Sequence, residues 1–353
     1  MDTKMESIVK VDVTKASTLA TQTSINTVAL IGKSKSGAVA GTVTDLETGL
    51  ETYGKDEEMG KLLKSFFGES NPGEVYCQPI ESVTGETIVA AIEAVIEKKD
   101  VYHFVVRAEA DTSASEIKSI QEKAAELFKF VHVEFSDIAN VKTVMGNATI
   151  TANPPTRVAV YYHSEESGKS LAAALVANRC AVDPARGTWA HKTLDGIEPD
   201  NIGKSDFDAL AAGASALGVN VYTTIAGVNR TFLGTSCSND QFIDTQIKKD
   251  WLKFRVAEEI FNLIGNANDG YGVEFDDAGI QSVCGAVNKI FGIANDAKHR
   301  YIMDNSWDVD APNYADIDTQ KKKNRTLSGV VAHCDIMNSI HKVDRVTIMV
   351  NDF

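Results

Sequence analysis

No apolar run in the 353-residue sequence approaches the ~18 residues that a helix needs to cross a bilayer, so membrane insertion is not expected. The opening, MDTKMESIVK, does not have the basic-then-apolar order of a secretory leader. A protein made and retained in a cytoplasm is the expectation. Cysteine is sparse. Cys77, Cys180, Cys237, Cys284 and Cys334 are odd in number and far apart. With no CxxC pair and no Cys/His zinc spacing, free and mostly buried thiols are expected, and no metal site. Positive charge is also short: 35 Lys and Arg stand against 49 Asp and Glu, a net charge of −14 at pH 7. That balance repels phosphate backbones, which argues against a nucleic acid partner, and it keeps unassembled subunits soluble. The densest basic cluster, Lys321, Lys322, Lys323 and Arg325, reads as a solvated loop.

Catalytic signatures are missing too. There is no GxSxG, no HExxH, and no GxGxxG with an acid about 20 positions further on. The seven histidines are dispersed, and nothing repeats at a fixed period of roughly 20–50 residues. The nearest approach to an enzyme motif is HSEESGKSL, residues 163–171, where Gly168, Lys169 and Ser170 match the end of a phosphate loop. His163 stands where the first glycine belongs, and Glu165 and Glu166 would oppose a phosphate. Gly32, Lys33 and Ser34 also follow a strand-like run, with Thr27 in the place of the first glycine. The paired acids Asp276 and Asp277 suit a helix N-cap better than a catalytic site.

The apolar content of 43% is enough for an ordinary core, and the length suggests two domains. Near the N-terminus Val9, Val11 and Val13 alternate with Lys10 and Asp12, the pattern of a strand with one apolar face. The polar stretch 14–27 then reads as a linker. From residue 28 helices and strands alternate. Helices are predicted over 56–67, 87–98, 115–128 and 168–178, with another opening at Ser136. Strands are predicted at 28–32, 101–107, 130–135 and 157–163. After Gly187 the pattern gives a helix over 205–217 and a strand over 220–226. A long helix then carries Ile247, Trp251, Phe254, Phe261 and Ile264 on one stripe. A second helix carries Ile280, Val283, Cys284, Val287, Ile290 and Phe291 and should stop at Gly292. The C-terminus mirrors the N-terminus. A strand is predicted over 327–336, and Val346, Ile348 and Val350 alternate just before the end. Two strand-like ends of this kind invite pairing outside their own subunit, individually weak and strong when repeated.

Several stretches resemble the tail sheath proteins of contractile phages. Gly187, Trp189, Lys192, Leu194 and Gly196 are similar to the family's G-x-x-W-x-x-K-x-L-x-G run, with one residue instead of two between the glycine and the tryptophan. Gly218, Asn220 and Tyr222 resemble its Gly–Asn–Tyr strand entry. Asp244 followed by Asp250, Trp251 and Leu252 resembles the D-x-x-x-x-x-D-W-L signature that opens the long helix. Residues 329–333 and 340–343 resemble the final strands. The likeness covers about half the chain, in the order and spacing of these motifs.

The resemblance implies an α/β fold of mixed sheets covered by helices, with extended N- and C-terminal β-arms. It implies an N-terminal arm and linker over 1–27, an α/β domain over 28–186, a sheath core domain over 187–343 and a C-terminal arm over 344–353. It also implies a structural subunit, not an enzyme, with no cofactor. Such subunits stack as hexameric rings in a helix around a tube and contract to drive the tube through a host envelope. The implied partners are other sheath subunits, the tail tube protein, and baseplate and tail terminator proteins. The implied place is the virion tail, assembled in the host bacterial cytoplasm. Carried onto this sequence, the inter-subunit N-arm is Val9, Val11 and Val13, and the C-arm is Val346, Ile348 and Val350. The receiving sheet should include 327–336, and Lys289, Lys298 and Arg300 are the candidate tube contacts. Two alternatives stand beside this reading: a nucleotide-using α/β enzyme built around Lys169, and a baseplate-associated module that shares the fold without polymerising.

Overall fold

The computed structural model describes residues 24–164, 168–213, 215–237, 240–265 and 272–341. The expected arms, Val9 to Val13 and Val346 to Val350, lie outside the described residues, as do Glu165 and Glu166.

The alternating pattern yields the expected α/β class, a mixed sheet covered by helices. The strands are β1 (Val28–Lys33), β2 (Gly41–Val43), β3 (Val75–Ile80), β4 (His103–Arg107), β5 (Phe130–Phe135), β6 (Val158–Tyr162), β7 (Asn220–Ile225) and β8 (Val228–Phe232). They form one sheet in the order β2-β3-β1-β4-β5-β6-β7-β8. The strands from β3 to β7 run parallel, and the edge strands β2 and β8 pair antiparallel. Residues on both sides of position 187 therefore build a single sheet.

Covering the sheet are α1 (Leu46–Tyr53), α2 (Glu58–Phe66), α3 (Gly85–Ile96), α4 (Ala114–Leu127), α5 (Ile138–Met145), α6 (Ala148–Thr151) and α7 (Leu171–Cys180). The short α8 (Lys204–Phe207) precedes β7, and α9 (Ile243–Gly265), α10 (Asp277–Asn295) and α11 (Thr319–Lys323) follow β8. Their starts are written in the sequence. Ser113 and Glu116 close a capping box on α4, Thr84 and Thr87 do so on α3, and Asp137 and Asp276 cap α5 and α10. Strand residues alternate between two cores. Ala29, Ile31, Phe104, Val106, Val131, Val133, Val158 and Val160 face α3, α4 and α5. Leu30, Val105, Phe130, Ala159 and Tyr161 face α2, α7, α9 and α10.

That second face also carries polar residues. His103 on β4, His132 on β5 and Tyr161 on β6 form a chain: His103 Nδ1 lies 3.0 Å from His132 Nε2, and His132 Nδ1 lies 2.9 Å from the Tyr161 hydroxyl. The Trp189 ring stacks on His132 at 5.3 Å and seals the row. All three side chains of the row are fully buried. Buried polar groups are tolerated mainly where they satisfy one another, as both His132 nitrogens, His103 Nδ1 and the Tyr161 hydroxyl do, while His103 Nε2 is left without a hydrogen-bond partner among the described residues.

Three local expectations differ. The helix over 205–217 is instead α8 followed by a π-helical turn, Asp208–Ala212. Gly213 ends it, with its N–H on the Asp208 carbonyl and no room for a Cβ, which would sit 2.7 Å from that oxygen. Gly292 does not stop α10, which continues to Asn295. A mid-helix glycine costs only ~1 kcal/mol, and the buried Phe291 and Ala294 beside it outweigh that. The strand over 327–336 shrinks to β10 (Val331–His333) plus an isolated bridge at Ile336. Between them the Ser306 hydroxyl accepts the Asp335 N–H at 3.3 Å and interrupts the ladder.

Burial pushes the His103 imidazole down to about 3, and burial together with His103 holds His132 well below the ordinary histidine range. Folding therefore favours the neutral rings. Stability is full above the unfolded value of ~6.5 and falls as acid protonates the unfolded chain. His103 alone should cost about 2 kcal/mol at pH 5 relative to pH 8. Urea denaturation across that range measures it, and a midpoint that does not move would show that the row accepts protons in place.

Candidate functional site

The long helix α9 opens with charge where a core helix should be apolar. Asp244, Lys248, Asp250 and Lys253 are all buried. Each has a fixed employment. The Asp250 carboxylate takes both ends of the Arg157 guanidinium at 2.5 and 2.6 Å, and the Tyr102 hydroxyl at 2.6 Å. Burial and the Asp250 charge push the Tyr102 phenol well up, so it remains a protonated donor. Lys253 lies over the Phe128 ring, 3.6 Å from its centroid. One turn from the helix start, Asp244 and Lys248 form a buried ion pair at 2.6 Å, and Lys248 also donates to the Met337 carbonyl at 2.7 Å.

The other motif residues are fasteners as well. Asn220 satisfies four partners: its amide donates to Val160 and Thr235 carbonyls, and its oxygen accepts the N–H groups of Gly234 and Thr235. Gly234 packs against the Trp189–Ala190 backbone, where a Cβ would sit 2.7 Å from a main-chain nitrogen, and its φ is +73°. Just past Trp189, His191 and Lys192 exchange backbone bonds with Thr231, at 2.8 and 2.9 Å, and cover the β8 edge.

The C-terminal part of the described chain is built differently. β9 (Asp308–Asp310) and β10 pair antiparallel as a two-stranded ribbon outside the main sheet. Val331 is 47% exposed, and all of β10 faces solvent. Beyond the bonds to each other, neither strand has a backbone partner among the described residues. A ribbon of two strands is marginal by itself, and its unpaired N–H and C=O groups are a template for a further strand.

The three basic positions are not brought together. Lys289 lies in α10 with its side chain 60% exposed and 2.7 Å from Glu259 of α9. Lys298 and Arg300 are exposed in the turn after α10, and Arg300 is 3.8 Å from Asp304. At the other sequence-level candidate, the α7 N-terminus already holds an anion. Glu134 Oε2 accepts the Ser170 hydroxyl at 3.0 Å and the Ala172 N–H at 2.7 Å, and Arg107 Nε stands 3.0 Å from its other oxygen. Burial pushes this carboxyl up while Arg107, His163 and the two donors pull it down. Lys169 turns away and bonds the Gly196 carbonyl. Among the described residues no cluster of His, Cys, Asp and Glu has the makings of a metal site, and no helix is long and apolar enough to cross a membrane.

No protein-family model and no curated protein matches the chain. A solved structure does. The chain is similar to one in the cryo-electron microscopy structure of the anti-feeding prophage baseplate in its contracted state. The alignment covers 97% of this chain and 98% of the other, at 13% identity and a TM-score of 0.63. At that identity the likeness is one of fold.

Sequence reading singled out Asp244, Asp250, Trp189 and Asn220 by resemblance, but not Arg157 and Tyr102, which hold Asp250, nor Glu134, which holds the α7 N-terminus. A basic residue opening an apolar strand, at Arg157, was the available signal. Replacing Asp250 with Ala should strand the Arg157 charge and cost about 3–5 kcal/mol. The double change Asp250→Ala, Arg157→Met should recover a large part of that in urea denaturation. Equal losses in the two proteins would mean that the pair is not the tie between α9 and the sheet.

Proposed function

We propose that this chain is a structural subunit of a contractile tail sheath, polymerising around a tail tube through exchanged β-arms and contracting to drive the tube through a host envelope. The observation that carries the reading is the β9–β10 ribbon. Its strand β10 lies inside 327–336, the segment expected in the receiving sheet, and the ribbon's edges have no backbone partner among the described residues. An N-arm carrying Val9, Val11 and Val13 on one side and a C-arm carrying Val346, Ile348 and Val350 on another would complete a four-stranded sheet. Contacts of this head-to-tail kind propagate into helical stacks such as rings of six. The likeness in fold to a chain from a contractile machine supports the same reading. On this reading the partners are other copies, the tube, and baseplate and terminator proteins, and the place is the virion tail. Lys298 and Arg300, exposed beyond α10, and Lys289 are the proposed tube contacts.

A second reading has its own support. The similar chain belongs to a baseplate, so a baseplate-associated module that does not form long polymers fits the same fold. The nucleotide reading fits poorly, because Glu134 fills the α7 N-terminus that a phosphate would need.

Negative-stain microscopy of the purified protein separates the first two: tubes or stacked rings are expected for a sheath, single particles for a module. Deleting residues 345–353 should leave a folded and mostly monomeric protein, and normal polymers from that truncation would sink the arm assignment. Titration with MgATP should give no binding heat, whereas binding lost on Lys169→Ala would favour the enzyme.

A further inference from the structure

After β10 the chain does not leave the body freely. Asp335 accepts the Met303 N–H at 2.9 Å, and Met337 donates to the Tyr301 carbonyl at 2.8 Å. The Met337 carbonyl then takes the Lys248 ammonium, whose charge Asp244 balances. Thr245 reaches Asn338 at 3.4 Å. Finally the His341 carbonyl lies 3.2 Å from His191 Nε2, and the His341 ring meets Phe242 edge to face at 4.6 Å. Ile340 between these fixings is 84% exposed, so the segment is not held by burying its side chains generally. It is held by the backbone bridge between Ile302 and Ile336, by α9 at Met337 and Asn338, and at its end by His341.

We propose that residues 335–341 are a strap, buckled to the body at Met337 and at His341, which fixes the position and direction of the chain at residue 341 and which opens in acid. Its use in assembly rests on the sheath reading above; its existence does not.

Two physical arguments support it. First, a buried ion pair is poor value as a stabiliser, since an apolar pair of similar size does as well. What Lys248 supplies is direction. One ammonium proton goes to Asp244 and another to a backbone carbonyl that lies beyond the β9–β10 ladder, so α9 dictates the path of the strap. Second, the charges around His341 are lopsided. Asp244 and Lys248 face it from α9, Lys192 and His191 from the segment covering β8, with Arg179 of α7 beside Lys192 and Arg230 beyond His191. The only carboxylate among them is already paired. Burial holds the His341 imidazole below its ordinary range; Asp244 opposes this, while His191, Lys192 and Lys248 add to it. The buckled state therefore prefers a neutral ring. It is fully favoured above the free histidine value of ~6.5 and loses ground as the pH falls below it, by at most about tenfold per pH unit.

Hydrogen exchange of the unpolymerised subunit at about pH 7.5 and about pH 5.5, corrected for intrinsic rates, tests this. In the wild type, amides of 335–341 should open up to about tenfold more often at the lower pH, while those of β4 to β6 stay protected. His341→Phe keeps the ring contact without the proton, and should abolish the pH response. Lys248→Met should leave the strap open at both pH values with the core still protected. Equal strap protection at the two pH values, an acid response that survives His341→Phe, or strap and core opening together would each overturn the proposal. Micrographs of the same samples read the sheath assignment separately: a wild type that forms no polymer counts against that assignment and leaves the exchange result standing.

Discussion

Asp250 is the point on which the arrangement of layers turns. Its carboxylate lies between helix and sheet and takes the Arg157 guanidinium, the Tyr102 hydroxyl and the Gln246 amide. A hydrophobic stripe alone would let α9 roll or slide by a residue at small cost, because apolar contacts are not directional. A buried, bidentate pair permits one orientation. With α9 fixed, Asp244 and Lys248 point at the C-terminal strap, and α10 packs on the same core through the buried Val287, Ile290, Phe291 and Ala294.

The same logic runs through the polar face of the sheet. Glu134, Arg107 and the row from His103 to Tyr161 are buried between the strands and the helices covering that face. Most of these groups bond or pair with one another, His103 Nε2 excepted, so the fold uses its polar atoms for its own geometry. An α/β sheet often offers the N-terminus of a helix after a strand to a phosphate. Here that place is taken by a side chain from the neighbouring strand.

How much of this was legible follows from what a one-dimensional pattern can carry. The alternation of βα units was clear because period 2 and period 3.6 are local signals. The start of α10 was marked by Asp276 for the same reason, whereas α4 and α5 were expected to open at 115 and at Ser136, beside their caps Ser113 and Asp137. His132 and Glu134 alternate with Val131 and Val133, which in isolation describes a strand with one wet face; only the cover of α7 and Trp189 makes that face dry. The break at Asp335 depends on a hydroxyl from Ser306, a long-range contact with no local trace. At the site, resemblance picked out the motif residues, while their mechanical roles needed their partners, Arg157, Met337 and Gly234. The basic trio read from one helix and its following turn does not form a cluster once folded, since Lys289 is paired and Lys298 and Arg300 lie beyond the helix end.

The ribbon has one more property, which concerns stiffness. The body is an eight-stranded sheet clamped by helices on both faces, with fully paired interior strands. The ribbon has two strands of three residues each and almost no burial. When a stiff element and a compliant one are joined in series, an applied displacement is taken up by the compliant one. Any pull or twist delivered through these edges therefore bends the ribbon first and leaves the body unchanged, so a copy of this chain can change its orientation to its surroundings as a rigid block on a soft joint.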